Sequence, residues 1–163
     1  MSLRLEPGVF TEILTAVEET GQIKADVSAQ RMAAACVLQA KINVSTGRHE
    51  YGTPTPASEG AGPAQISGTL FRCIISTPVI AADDSYTAMV GPEPGHYTPY
   101  GIPKHHIKPD PKPRADSARY GYYLETGDWG HTYPWLGPAL RMVERVSGPV
   151  ILRQVFAGGW PSF

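Results

Sequence analysis

The residues of this chain that could do chemistry are five His, two Cys and a scatter of carboxylates, and their spacing limits what they can do. His105, His106 and Asp110 offer metal-ligand types, but adjacent side chains on an extended segment point to opposite sides, so they read as solvated residues. Cys36 and Cys73 lack the paired spacing of a zinc site, and no H-E-x-x-H is present. Both Cys sit among apolar residues and are expected to be buried free thiols in a reducing compartment. His49-Glu50 and His131 are candidate acid–base groups, and His131 with Glu125 would be the pair of a small cytoplasmic hydrolase. Against that reading, no Ser stands in a nucleophile elbow, and no phosphate-cradling loop or dinucleotide fingerprint occurs. The expectation is a chain that is not an enzyme and takes no metal or cofactor.

Glu125 has a second reading. It follows the Tyr-rich turn Tyr120–Tyr123 and precedes Thr126-Gly127, where its carboxylate can accept from backbone donors and fix a helix-to-loop corner. It lies in the stretch ARYGYYLETGDWGHTYPWLGPALRMV, residues 118–143, which holds two of the three Trp and four of the eight Tyr. Aromatics and basic residues together suit single-stranded nucleic acid. Here they are segregated, with Tyr and Trp at 120–135 and basic residues at 104–114, and the net charge is −1. The aromatic cluster therefore points to core or protein interface rather than to base reading.

The elements that must position these residues follow from periodicity. Val9, Phe10, Ile13, Leu14 and Val17 predict a short amphipathic helix that stops at Gly21. Asp26 or Ser28 is expected to cap a second, longer helix to about Val44, with Val27, Ala34, Val37, Lys41 and Val44 as its stripe, flanked by Ala33, Cys36, Leu38 and Ala40. Residues 45–65 lose periodicity and read as a long loop. Ser67 or Thr69 can cap a short helix carrying Leu70, Phe71, Cys73 and Ile74. Residues 77–82 and 86–90, separated by Asp83-Asp84-Ser85, predict a β-hairpin that Gly91-Pro92 ends. Residues 92–113 hold seven of the sixteen Pro and read as an extended, mildly basic arm with Lys104, His105, His106, Lys108 and Lys112, and Arg114 just beyond.

A helical turn from Asp116 or Ser117 to Gly127 follows, then a loop at 128–134. Residues 136–146 predict a helix facing inward through Leu136, Leu140 and Val143, with Arg141, Glu144 and Arg145 outward; Gly148-Pro149 interrupts it before a further turn at 150–156. One domain, 1–156, with a flexible tail 157–163, fits the length. The 17 Gly and 16 Pro imply a compact centre with long irregular arms. The N-terminus lacks the pattern of a secretory signal, and no run reaches the length of a membrane span, so the chain is expected in the cytoplasm.

Three blocks, taken in order, resemble one family. Gly62-Pro63-Ala64-Gln65-Ile66-Ser67-Gly68-Thr69-Leu70-Phe71-Arg72-Cys73-Ile74 is similar to the "small residue, Pro, two or three residues, Thr/Ser-Gly, x, Leu, x, Arg/Lys, x, Ile" stretch of the tail-completion, or head-tail joining, proteins of long-tailed lambdoid-type phages. Ala118-Arg119-Tyr120-Gly121-Tyr122-Tyr123-Leu124-Glu125-Thr126-Gly127 resembles that family's Tyr-Ala-x-Tyr-Val-Glu-Phe-Gly block. Tyr133-Pro134-Trp135-Leu136-Gly137-Pro138-Ala139-Leu140 resembles its Arg-Pro-Phe-Leu-x-Pro-Ala-Leu block. The resemblance covers roughly residues 9–146. Gly121 stands for Ala, Thr126 for an aromatic, Tyr133 for Arg and Trp135 for Phe, and the Pro-rich arm replaces a short connection.

The resemblance implies an α+β subunit: a long N-terminal helix packed on a small antiparallel sheet, with further short helices and long irregular arms. It implies a structural virion protein, assembled in the host cytoplasm, that forms a ring between the capsid connector and the tail tube. Its partners would be copies of itself, commonly as a hexamer, and the neighbouring neck rings, tail terminator or tail tube. The tail terminator or stopper ring of the same neck is the alternative within this class.

On this reading 45–65, 92–116 and 157–163 are contact segments, since arms without a core gain order on a neighbour. Tyr51, Lys104, His105, His106, Lys108, Lys112 and Arg114 fall in the first two. Trp160 and Phe163 are the anchors of the tail, and Glu125, Trp129 and Trp135 the interface candidates of the aromatic stretch. The basic arm is alternatively a non-specific contact for channel DNA.

Overall fold

The computed structural model describes residues 7–45, 69–83, 85–93, 117–127 and 132–159. Helix α1 spans Pro7–Asn43, a single element of 37 residues. Helix α2 (Thr69–Cys73) leads into four short strands, β1 (Ile74–Ser76), β2 (Ile80–Ala82), β3 (Ser85–Thr87) and β4 (Val90–Pro92). Helix α3 (Ser117–Thr126), helix α4 (Leu136–Met142), a π-helical turn (Val143–Ser147) and helix α5 (Gly148–Ala157) complete the chain. The fold is α+β, with a long N-terminal helix and a small antiparallel strand set. α1 contacts α4, the π turn and α5, and also β1, β3 and β4.

The two helices expected on either side of Gly21 are one. A single Gly costs a helix about 1 kcal/mol relative to Ala, which does not stop a run otherwise rich in Ala, Glu and Gln. Ser28 is not a cap either: its Oγ donates backward to the Lys24 carbonyl at 2.8 Å, and Gln30 Nε2 donates to Asp26 Oδ2 at 2.8 Å, both mid-helix patterns. The buried line along α1 also differs from the predicted stripe. Lys24, Ser28, Cys36, Ala40 and Val44 are buried at four-residue multiples, so the line winds slowly around the helix, whereas Ala34 is exposed and Leu38 is 62% exposed. Small residues on that line let neighbouring backbones approach.

The hairpin is longer than predicted. β2 pairs with β3 (Ala82 opposite Ser85), leaving positions 83 and 84 as the connection, and Asp83 adopts φ 50°, a left-handed turn conformation that Asp tolerates. Beyond them β1 pairs with β4, Ile74 opposite Pro92, so Gly91-Pro92 closes the base of the ladder instead of ending it. Between the two pairings 77–79 oppose 88–89, three residues against two, a bulge at Pro78, which has no N–H to give. Thr77 N–H donates to the Met89 carbonyl and Met89 N–H to Thr77 Oγ1, both at 2.9 Å, which stitches the bulge.

Gly148-Pro149 does not interrupt the last helix. The chain stays helical from 136 to 157, and the mismatch is absorbed by the π turn, whose wider ladder sends the Gly148 N–H to the Val143 carbonyl. A Cβ at 148 would lie 2.6 Å from that carbonyl oxygen, so the bulge needs Gly there. The inward face of α4 is Ala139, fully buried, while Leu140, predicted inward, is 52% exposed. Arg141, Glu144 and Arg145 are exposed as expected.

The core gathers Cys36 and Ala40 of α1 and Val44 just past its end with Ile74, Leu124, Trp135 and Ala139, and Leu70, Phe71 and Tyr133 pack against them. Cys36 and Cys73 are both buried and free, and desolvation raises the Cys36 thiol above its ordinary pKa.

Candidate functional site

The residues singled out at Glu125 and Trp135 meet in one corner. Glu125 closes α3, and α4 begins just after Trp135 with no side chain of its own capping it. Four amide groups at the start of any helix lack partners within it. Glu125 supplies the acceptors from across the loop: Oε2 accepts from the N–H of Trp135 and of Leu136, and Oε1 from that of Gly137, all at 2.8 Å. A negative charge at this end is also favoured by the helix dipole. Gly137 makes room for the cap, since a Cβ there would lie 2.8 Å from Oε1. The Tyr133 N–H donates to the Leu124 carbonyl at 2.8 Å and holds the returning chain beside α3.

Trp135 is fixed on every side. Besides its N–H to Glu125, its indole Nε1–H donates to the Gly121 carbonyl at 3.0 Å, and its own carbonyl accepts from Asn43 Nδ2 at 2.8 Å. Gln39 Nε2 donates to Asn43 Oδ1 at 3.0 Å and orients that amide. The ring fills the space that Gly121 leaves: a Cβ at 121 would meet Trp135 at 3.1 Å, Leu70 at 3.2 Å and Pro92 at 3.2 Å. Four elements, α1, α2, α3 and β4, thus converge on the entrance of α4.

This geometry corrects one expectation. Trp135 is 1% exposed and belongs to the chain's own core, so it offers no surface to a partner. The buried polar rim of its indole and its apolar ring both find their partners within the chain. Glu125 is partly exposed and is the corner carboxylate, with both oxygens already engaged. The other candidates lie outside the described residues: Tyr51, Lys104, His105, His106, Lys108, Lys112 and Arg114, and likewise Trp129, His131, Trp160 and Phe163. The roles of 45–65 and 92–116 as arms fall almost wholly outside them too.

What the corner can do chemically is hold shape. Two open depressions flank α1: Asp26, Gln30, Ala33 and Ser76–Val79 line one, and Ala34, Val37, Leu38, Lys41 and Ile74–Ser76 the other. Neither contains His or Cys. Among the described residues no three His, Cys, Asp or Glu come together as a metal site, and no helix is long and apolar enough to cross a membrane.

Sequence reasoning missed two features. Lys24 is buried, its Nζ donating to the Gly158 carbonyl and lying 6.0 Å from the centre of the Phe156 ring, so a cation closes the C-terminal end of α5. Its place on the buried line, one turn before Ser28, was the available signal. The second is an exposed apolar row, Met142, Val146 and Val150, on the outside of the last helix. No protein-family model matches the chain, nor does any curated protein or solved structure.

Proposed function

We propose that this chain is a structural, non-catalytic virion subunit that forms a ring in the neck of a long-tailed phage, between the capsid connector and the tail tube. The observation that carries the reading is the convergence of the three resemblance blocks on one corner. Leu70 of the first block, Gly121 and Glu125 of the second, and Trp135, Gly137 and Ala139 of the third are mutual neighbours around the entrance of α4. Blocks that resemble one family in order would be a coincidence of composition if they lay apart. Here the described residues Leu70, Gly121, Glu125, Trp135 and Gly137 constrain one another at one corner. The engagement of both Glu125 oxygens by backbone donors favours this reading over an acid–base role for that residue.

The exposed apolar side chains suit assembly: a ring subunit offers one patch to a different patch on its neighbour. The test is solution mass by light scattering over a concentration series. A hexamer of the 17.6 kDa chain has a mass of about 106 kDa, and a species of that size supports the intrinsic ring. A monomer at every concentration removes the intrinsic ring and leaves a subunit that assembles only on a neck partner.

A further inference from the structure

Among the described residues, α1 outruns the helices that pack on it. Its pairing with the last helix is antiparallel: Asn43 holds Trp135, a Cβ at 148 would lie 3.7 Å from Met32, and Lys24 holds Gly158, just past the end of α5. From Lys24 the helix continues back to Pro7, about 25 Å further. On that projection Glu12, Leu14, Thr15, Val17, Glu18 and Glu19 are all exposed, Leu14 at 52% and Val17 at 37%. Leu14 and Val17 are one turn apart and face the same way on the helix, while the four-residue line from Ser28 and Lys24 continues through the half-buried Thr20 and Ala16. A free helix of this length is marginal in water, and Gly21 at its base weakens it further. From 7 to 23 it carries three Glu and no basic residue.

The exposed row on the last helix has the opposite charge. Met142, Val146 and Val150 follow one another at four-residue intervals, 41%, 51% and 48% exposed. Arg141, Arg145 and Arg153 border that row and are exposed, and Glu144 is the one acidic residue from 136 to 157.

We propose that the α1 projection of one subunit docks on the Met142–Val150 face of a second copy, Leu14 and Val17 meeting the apolar row and Glu18, which flanks them on the helix, meeting the arginines. The proposal rests on the ring reading and names the surfaces that build it. Pairing of two projections would set Glu against Glu. The complementary charges instead select a contact in which each subunit gives its projection and receives another, the head-to-tail geometry that closes into a ring.

Cysteine cross-linking of the full chain tests it, because Cys36 and Cys73 are each only 2% exposed. Under mild oxidation the V17C/V146C double variant is expected to give a covalent ladder that ends at the ring number, while V17C or V146C alone stays monomeric on a denaturing gel. Adding E18K should lower the ladder yield several-fold at low salt, and R145E/R153E in the same chain should restore it. A native mass equal to the ring with no ladder overturns this contact and leaves the ring standing. A ladder that never closes keeps the contact and overturns the ring. Dimers from V17C alone overturn the contact in favour of paired projections. A bridge within one chain in a V17C/W160C variant, without a ladder from V17C/V146C, assigns the face to the chain's own tail and overturns it as well.

Discussion

Replacing Glu125 by Gln keeps the length and shape of the side chain while removing its charge and one acceptor oxygen. The carboxylate serves three N–H donors at 2.8 Å, two on one oxygen and one on the other. A Gln carbonyl can stand at one of those places, and its amide then points N–H at N–H at the other. Either orientation loses at least one hydrogen bond to a charged acceptor, each worth about 1.5–3 kcal/mol. Loss of the negative charge at the helix N-terminus adds about 0.3–1 kcal/mol. Glu125 is partly exposed, so water relieves part of the deficit. The expected loss for E125Q is about 2–3 kcal/mol, a large share of the roughly 5–15 kcal/mol that holds a domain of ordinary stability.

Urea unfolding is the assay. With a slope of about 1–3 kcal/mol/M, the midpoint should fall by about 0.7–3 M with the slope unchanged. E125D, which keeps the charge but is one methylene short of spanning all three donors, should fall between wild type and E125Q. Amide exchange at 135–137 should speed up in the same order. Stability of E125Q within about 0.5 kcal/mol of wild type would refute the corner reading, since surface substitutions away from structural features stay within that range. A hydrolase using Glu125 would show the reverse pattern, with stability kept and turnover lost.

G21A should stabilise the chain by up to about 1 kcal/mol, because a Cβ there meets nothing within 4 Å and Gly is the weaker helix former; a raised urea midpoint checks it. G148A should destabilise by about 2 kcal/mol or more in the same assay, since its Cβ would sit 2.6 Å from the Val143 carbonyl and the π turn would have to reorganise. G121A gains about 1 kcal/mol of helix propensity but presses on Trp135, Leu70 and Pro92, an overpacking that costs about 1–3 kcal/mol, so it should destabilise alone and be tolerated in a W135F background, a non-additivity that a double-mutant cycle measures. Cys36, buried and with its pKa raised, should react with iodoacetamide only through unfolding, its labelling rate climbing with urea.

Legibility in the sequence followed the range of the interaction. The hairpin and the helices after Trp135 rest on local periodicity and turn residues, and these were readable, while the α+β class was what the resemblance implied. Boundaries failed where tertiary packing overrode a local signal. Gly21 and Ser28 look like a stop and a cap, yet α1 runs through both: the Lys24 and core contacts hold the helix across Ser28, and a single Gly costs too little to end a run of otherwise good helix formers. Gly148-Pro149 looks like a break, and only the π turn, which no local pattern announces, makes it compatible with a helix. The inward residue of α4 was misread for a related reason. Ala139, not the larger Leu140, faces the core cluster that holds Ala40 of α1, while Leu140 is left 52% exposed.

The corner was half legible. That Glu125 fixes a turn follows from its place after an aromatic run and before Gly127, while the identity of its donors, ten to twelve residues ahead, needs the fold. Trp135 misled because an aromatic beside a Pro in a loop carries the same local signature whether it faces a partner or the core. Its neighbour at long range settles the matter. Two departures from the resembled pattern, Gly121 where Ala is usual and Trp135 where Phe is usual, touch each other: the indole lies where a methyl on 121 would stand, and its N–H bonds the Gly121 carbonyl. In this chain the two positions share one volume: the ring at the entrance of α4 stands where a methyl on α3 would press against it. Separate in the sequence, the two residues are one packing unit in the structure, and neither can be changed without regard to the other.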